Sequence, residues 1–180
     1  MKKYNYQYIL LLLVVVLGSS CKKNLDINND PNNPPLEKAT PYVLFPPAVL
    51  STISSLGTDG AVIGGIWAQY WTQSNASNQY KTIDAYNIQR ADYNALYTQA
   101  FSGALEDYSV MLKLCDSLHD NNFGLMGTVM KAYTYQVLVD LYDQVPYQEA
   151  FGGLNQLQPK FDRGDSIYSW LLRDLDIALS

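Results

Sequence analysis

Residues 133–151, YTYQVLVDLYDQVPYQEAF, join a helix that can expose little of itself to a proline that must end it. Met126, Met130, Tyr133, Val137 and Leu141 fall on one helical row, and Val129 and Leu138 widen the apolar surface. Gln136, Asp140 and Asp143 leave only a narrow polar stripe, so the helix is expected to be buried. Pro146 has no amide hydrogen and disfavours the α region at Val145, which stops the helix there. An extended, aromatic-bearing loop from Pro146 to Phe151 follows, closed by Gly152-Gly153. This junction is expected to be a rigid scaffold position, with proline as the source of the loop's stiffness.

The rest of the chain reads as further helices. Val43, Leu44, Pro46-Pro47, Val49, Leu50 and Ile53 predict a first helix starting near Pro46, since proline suits a first turn. A second is expected from about Ala61 to Gln73, carrying Ile63, Trp67, Tyr70 and Trp71. Gly64-Gly65 weaken it or let another element approach closely. From Ser74 to Arg90 there is no period, and the segment is polar apart from Tyr80, Ile83, Tyr86 and Ile88, which predicts a long ordered loop. The clearest helix spans about Asp92 to Leu118, where Tyr93, Leu96, Tyr97, Ala100, Phe101, Ala104, Leu105, Tyr108, Leu112 and Cys115 keep helical spacing. Asp120-Asn121-Asn122 turns the chain into the buried helix. A last helix follows Asp165 as N-cap, with Ile167, Tyr168, Leu171, Leu175 and Ala178 facing inward. No strand alternation competes, so the fold class is all-α. Long antiparallel helices with short turns suggest tetratricopeptide-like stacked helical hairpins, although the repeat consensus itself is absent.

The N-terminus points to a compartment. Lys2-Lys3 precede a short apolar run, Ile9 to Leu17, and then Gly18-Ser19-Ser20-Cys21. That is the layout of a secretory signal, and nine apolar residues are too few to span a bilayer. A cysteine directly after small residues looks like a lipobox, with Leu17 one place earlier than usual, which predicts acylation of Cys21 by palmitate-type chains. Residues 1–20 are then a lipoprotein signal peptide, 21–39 the lipidated cysteine and a flexible tether, and 40–180 the helical domain. Two or more acyl chains hold a protein to a membrane stably, whereas one does not. Asp26, Asn28, Asp30 and Glu37 match ligand positions of a calcium loop, but Pro31 stands where that loop needs glycine and no helix precedes it. Calcium binding is therefore not expected.

Chemistry is excluded by what is missing. The chain carries 12 basic and 17 acidic groups. Without Lys2 and Lys3, 10 basic groups face those 17, a formal −7, which argues against nucleic acid as a partner. The single histidine, His119, sits at a predicted helix end, and with no second His or available Cys it makes no metal set. Cys115 reads as a small core residue. No phosphate loop, dinucleotide fingerprint or Gly-x-Ser-x-Gly occurs, and neither a catalytic group nor a cofactor is expected. The remaining material is aromatic: 15 Tyr, 3 Trp and 5 Phe. Sugar rings stack on such side chains while polar neighbours take the hydroxyls. Trp67 and Trp71, at i and i+4, are expected to pack, with a ligand or partner surface as the alternative. Tyr80 and Tyr86 in the polar loop are the better exposed ligand candidates.

One ordered series goes further. DLYDQVPY at 140–147, Glu149-Ala150, Pro159-Lys160-Phe161-Asp162 and Ile167-Tyr168 resembles the SusD/RagB family of outer-membrane nutrient-binding lipoproteins from Bacteroidetes-type bacteria. The Asn/Asp-rich run at 26–35 resembles the entry segment of the same family. Asp143 stands where the pattern more often has glycine, and aspartate tolerates left-handed backbone better than most residues. The resemblance implies a scaffold of tetratricopeptide-like helical pairs. It also implies a cell-surface lipoprotein that binds a glycan or similar nutrient and passes it to a SusC-type TonB-dependent outer-membrane transporter. Family members continue well beyond this length, so the chain is expected to be the N-terminal part of a longer protein. Two other readings fit an anchored helical chain: a protein–protein adaptor, and the non-catalytic part of a glycoside hydrolase.

Overall fold

A computed structural model describes residues 39–89 and 91–180. Cys21, the calcium-loop positions and the rest of residues 1–38 lie outside the described residues. Five helices carry the described chain: α1, Pro41–Trp67; α2, a single turn at Lys81–Asp84; α3, residues 94–118; α4, Asn121–Tyr142; and α5, Gly164–Leu179. Among the described residues the only β pairing is an isolated antiparallel bridge between Val145 and Asp162. The architecture is all-α, and α3–α4 form a hairpin about His119-Asp120. Helix α5 packs antiparallel on α4, while α1 packs on both α3 and α4.

Helix α1 differs from the expected pair of helices. Thr40 caps it by accepting the Val43 amide, and Pro41, not Pro46, is the proline at its first position. Pro46 and Pro47 lie inside the helix on its solvent face. The Tyr42 and Val43 carbonyls that they leave without a donor belong to exposed residues, where water can serve them. Gly57 to Gly60 does not break the helix either, because that stretch is taken up as a π-helical turn, Leu56–Gly60. The helix then stops at Trp67 and not at Gln73. By length and composition α1 could cross a membrane. Its Ala48, Thr52 and Ser55 are nonetheless buried in this fold.

Helix α3 begins two residues later than expected, at Asn94, and carries a second π-helical stretch, Ala100–Leu105. It supplies much of the core through Leu96, Ala104, Leu105, Tyr108, Met111 and Cys115. Its last residue before the turn, His119, is exposed and adopts the left-handed conformation of a C-cap. Helix α4 approaches closely at Gly127, where Met111 fills the space a side chain would take.

Three hydroxyls meet where α1, α3 and α4 come together. Thr52 Oγ1 lies 3.1 Å from Tyr108 Oη and 3.0 Å from Thr134 Oγ1, and Thr134 donates to the Met130 carbonyl at 2.8 Å. All three side chains are buried, so each hydroxyl exchanges a water partner for a protein one and none is left alone. Burial pushes the Tyr108 phenol above its ordinary value, with the Thr52 contact opposing.

The face of α4 that packs is not the expected one. Tyr135, Leu138, Val139 and Ala132 are buried, whereas Tyr133 is 47% exposed, and Met126, Val129 and Leu141 are exposed with it. With apolar residues on every side, the periodicity cannot say which row faces the core. The small and polar members, Gly127 and Thr134, sit where the neighbouring helices come closest.

The end of α4 is a tight reversal. Asp143 adopts φ 63°, ψ −55°, and the Gln144 amide donates to the Tyr142 carbonyl at 2.7 Å. This is the γ-turn conformation that L residues adopt only under strain. Asp143→Gly is therefore expected to stabilise the fold by about 1 kcal/mol, a chemical-denaturation measurement, since glycine enters positive φ without a side-chain penalty. A destabilised variant would mean that the Asp143 side chain has a role beyond filling the turn. Gly164 opens α5 against this turn: a Cβ there would stand 2.7 Å from the Asp143 carbonyl oxygen. Arg163, not Asp165, is the N-cap residue of α5, and Asp165 lies within the first turn in an exposed ion pair with Arg163 at 2.9 Å.

The loop after α4 is stiff, but carboxylates hold it and not the proline alone. Asp162 Oδ2 accepts the amides of Tyr147 and Gln148, at 3.0 and 2.9 Å. Glu149 Oε2 accepts the Lys160 amide at 3.0 Å, and this, more than its exposed ion pair with Lys160, holds its carboxyl below the usual range.

Candidate functional site

The exposed aromatic residues of the described chain concentrate where α1 ends. Helix α1 terminates in a turn in which Gln69 takes φ 61° and the amides of Tyr70 and Trp71 both donate to the Gly65 carbonyl, each at 3.0 Å. The chain then runs to α2 and returns at Tyr86, itself at φ 54°. This return brings Tyr86 over Trp67. Their ring centroids are 5.6 Å apart with planes inclined by 30°, and Trp67 and Tyr86 are 40% and 59% exposed. The pair is fixed at both edges, because the Trp67 indole N–H donates to the Ile83 carbonyl at 3.1 Å and the Tyr86 hydroxyl donates to the Trp67 carbonyl at 3.4 Å.

The four sequence candidates therefore separate. Trp67 and Tyr86 form one platform, a tilted aromatic pair. Trp71 is 56% exposed but sits past the helix end, so it does not share a helical face with Trp67 as the i, i+4 spacing predicted. Tyr80 is half-buried; its amide donates to Gln73 Oε1 at 2.8 Å and its hydroxyl accepts from Gln79. Its backbone amide, through Gln73, ties the loop back on itself. Sequence reasoning missed Tyr70, which is 85% exposed, because the helix was run on to Gln73 and Tyr70 was counted among its members.

The surroundings suit a neutral polar ligand. Between Trp67 and Tyr86 the only charged residues are Lys81 and Asp84, amid Gln69, Thr72, Gln73, Ser74, Asn75 and further amides and hydroxyls. Among the described residues no group of His, Cys, Asp and Glu could hold a metal ion. A separate cleft of about 700 Å³ lies between the α3–α4 turn and the end of α5. Several of its polar groups are committed to protein partners. Asp174 accepts the Tyr147 hydroxyl at 2.6 Å and pairs with Arg173, while Lys131 lies 5.4 Å from the Tyr147 ring centroid, its pKa lowered by burial.

Family-level comparison matches residues 31–180 to the SusD-like family, described as starch-binding and associating with the outer membrane. The chain belongs to the SusD-like family. No curated protein matches it. The residues that carry the SusD-like signature converge around the end of α4. Val145 bridges to Asp162, Asp162 caps Tyr147 and Gln148, Glu149 holds Lys160, and the Tyr168 hydroxyl donates to Asp140 at 2.6 Å. In this SusD-like chain the signature thus builds a scaffold junction. The aromatic platform lies in a different part of the fold, on α1 and the loop after it.

Proposed function

We propose that this SusD-like chain is a lipid-anchored, surface-facing outer-membrane protein that binds a glycan and hands it to a SusC-type TonB-dependent transporter, without catalysing a reaction on it. The observation that carries the reading is the exposed Trp67–Tyr86 pair in an almost uncharged, amide-rich segment. A pyranose presents an apolar C–H face that stacks on such rings, and its hydroxyls find donors and acceptors in the flanking side chains. The family's description as starch-binding supports an α-linked glucan as the first ligand to test. With maltoheptaose as the probe, Trp67→Ala and Tyr86→Ala are each expected to weaken binding about fivefold or more, since one lost stacking contact is worth about 1 kcal/mol or more in a desolvated pair. Both variants binding within twofold of the parent, with the helical circular-dichroism signal retained, would overturn the platform.

Anchoring rests on Cys21. Cys21→Ala is expected to abolish acyl labelling in a host with lipoprotein processing and to release the protein from the membrane fraction. Acylation that survives the substitution would exclude Cys21 as the anchor.

A further inference from the structure

Gly65 has a partner that the platform does not use. A Cβ built on it would stand 2.8 Å from both Cδ2 and Cζ3 of Trp71, with Cε3 nearer still. Cδ2 and Cζ3 are the two ring neighbours of Cε3. A point equally close to both, and nearest the atom between them, lies over the face of the six-membered ring; a point beyond the edge would be markedly farther from them. The indole is therefore laid face-on against the backbone of α1. It is held there by the Tyr70 and Trp71 amides, which share the Gly65 carbonyl. One face is spent on the helix, and the exposed area of Trp71 belongs to the opposite face and the rim.

We propose that Gly65 is a positioning residue that presents the outer face of Trp71 as a second stacking surface for a neutral sugar ring, beside the Trp67–Tyr86 pair. This rests on the reading of the segment as glycan-binding. Any side chain at Gly65 would displace the indole, because real Cβ atoms do not approach ring carbons this closely and the ring must move away from the helix. Thr72, next in the chain, donates its hydroxyl to Asp84 at 3.4 Å, an exposed polar pair of the kind that serves sugar O–H groups. Alanine is a better helix residue than glycine, so Gly65→Ala gains helix propensity while losing the seat for the indole.

The test uses the full-length chain with maltoheptaose and follows affinity together with thermal unfolding. Trp71→Ala and Gly65→Ala are each expected to lower affinity about tenfold, and the double variant to lose no more than either alone, because both remove the same contact. Affinity within twofold of the parent for Gly65→Ala, beside a tenfold loss for Trp71→Ala, would overturn the role of Gly65. Unchanged affinity for Trp71→Ala beside a loss for Trp67→Ala would overturn the second surface and leave the first platform standing. Unchanged affinity in all three would sink the platform reading, and this inference with it. Should Gly65→Ala fail to fold, rescue of folding by adding Trp71→Ala supports the seating of the indole, and failure of rescue overturns it.

Discussion

Tyr135→Ala is expected to cost about 3–5 kcal/mol in chemical denaturation, the largest loss from any single side chain considered, because a fully buried aromatic leaves a cavity the fold cannot refill. The ring is buried completely, lies 4.7 Å from the Tyr147 ring and 6.1 Å from Phe101, and so ties α3, α4 and the following loop together. Its hydroxyl donates to the buried Pro146 carbonyl at 3.2 Å. Burial, reinforced by Tyr147, raises the phenol far above its ordinary pKa, so it stays a neutral donor throughout the physiological range. Tyr135→Phe keeps the volume and removes only the donor, for an expected cost of about 1–3 kcal/mol. Against a total stability of about 5–15 kcal/mol for a domain, the alanine variant loses a large share of the fold. A loss below about 1 kcal/mol would mean that the junction is held from elsewhere.

Asp162→Ala is expected to cost about 2–4 kcal/mol, because hydrogen bonds to a charged acceptor contribute more than neutral ones and two amides lose theirs together. The damage should be local. The Asp162 backbone keeps its bridge, since its amide donates to the Val145 carbonyl at 3.0 Å and needs no side chain. Hydrogen exchange is the discriminating measurement: the Tyr147 and Gln148 amides should exchange faster, while amides of the α3–α4 hairpin keep their protection. Unchanged exchange at those two positions would show that the carboxylate is dispensable. Asp162→Asn should fall between, because its amide oxygen can still accept but carries no charge.

Both predictions concern residues that the sequence made visible to different degrees. Asp162 stood inside a recognisable series, so its importance was legible, although its job was not. Nothing in Pro-Lys-Phe-Asp says that the carboxylate reaches back to amides 15 and 14 residues earlier. Tyr135 was less visible, because α4 is apolar on every side and the row through Tyr133 and Leu141 had as good a spacing as the one that is buried. Helix α3 was legible almost to the residue because its polar and apolar positions alternate cleanly. Helix α1 was read as two helices, the first placed from Pro46 onward because proline suits a first turn and the second from about Ala61. Tertiary packing joins them, with Pro46 and Pro47 on the wet face and Gly57 and Gly60 taken into a π-turn.

The candidate site shows the same division. Composition and polarity pointed to Tyr86, and aromatic spacing pointed to Trp67. Their pairing arises from a return of the chain across 19 positions, which no local pattern encodes. The meeting of Thr52, Tyr108 and Thr134 was equally invisible, since each alone reads as an ordinary polar or amphipathic residue.

That hydroxyl cluster has a mechanical meaning for the platform. Thr52 Oγ1 stands at the centre of the cluster, within reach of the Tyr108 and Thr134 hydroxyls and 3.2 Å from the Ala48 carbonyl. The cluster is therefore satisfied only when α1 sits at one height along its neighbours. A slip of α1 by one helical turn, about 5.4 Å, would carry Thr52 away from both partners and strand the buried Tyr108 hydroxyl, at a cost of about 1–3 kcal/mol, while Thr134 keeps the Met130 carbonyl of its own helix. Trp67 rides on the same helix, roughly 20 Å further along. The cluster thus works as a detent for a sliding rod: it forbids α1 the ratchet motions open to a smooth apolar interface, and so holds the aromatic surface at a constant height above the α3–α4 hairpin.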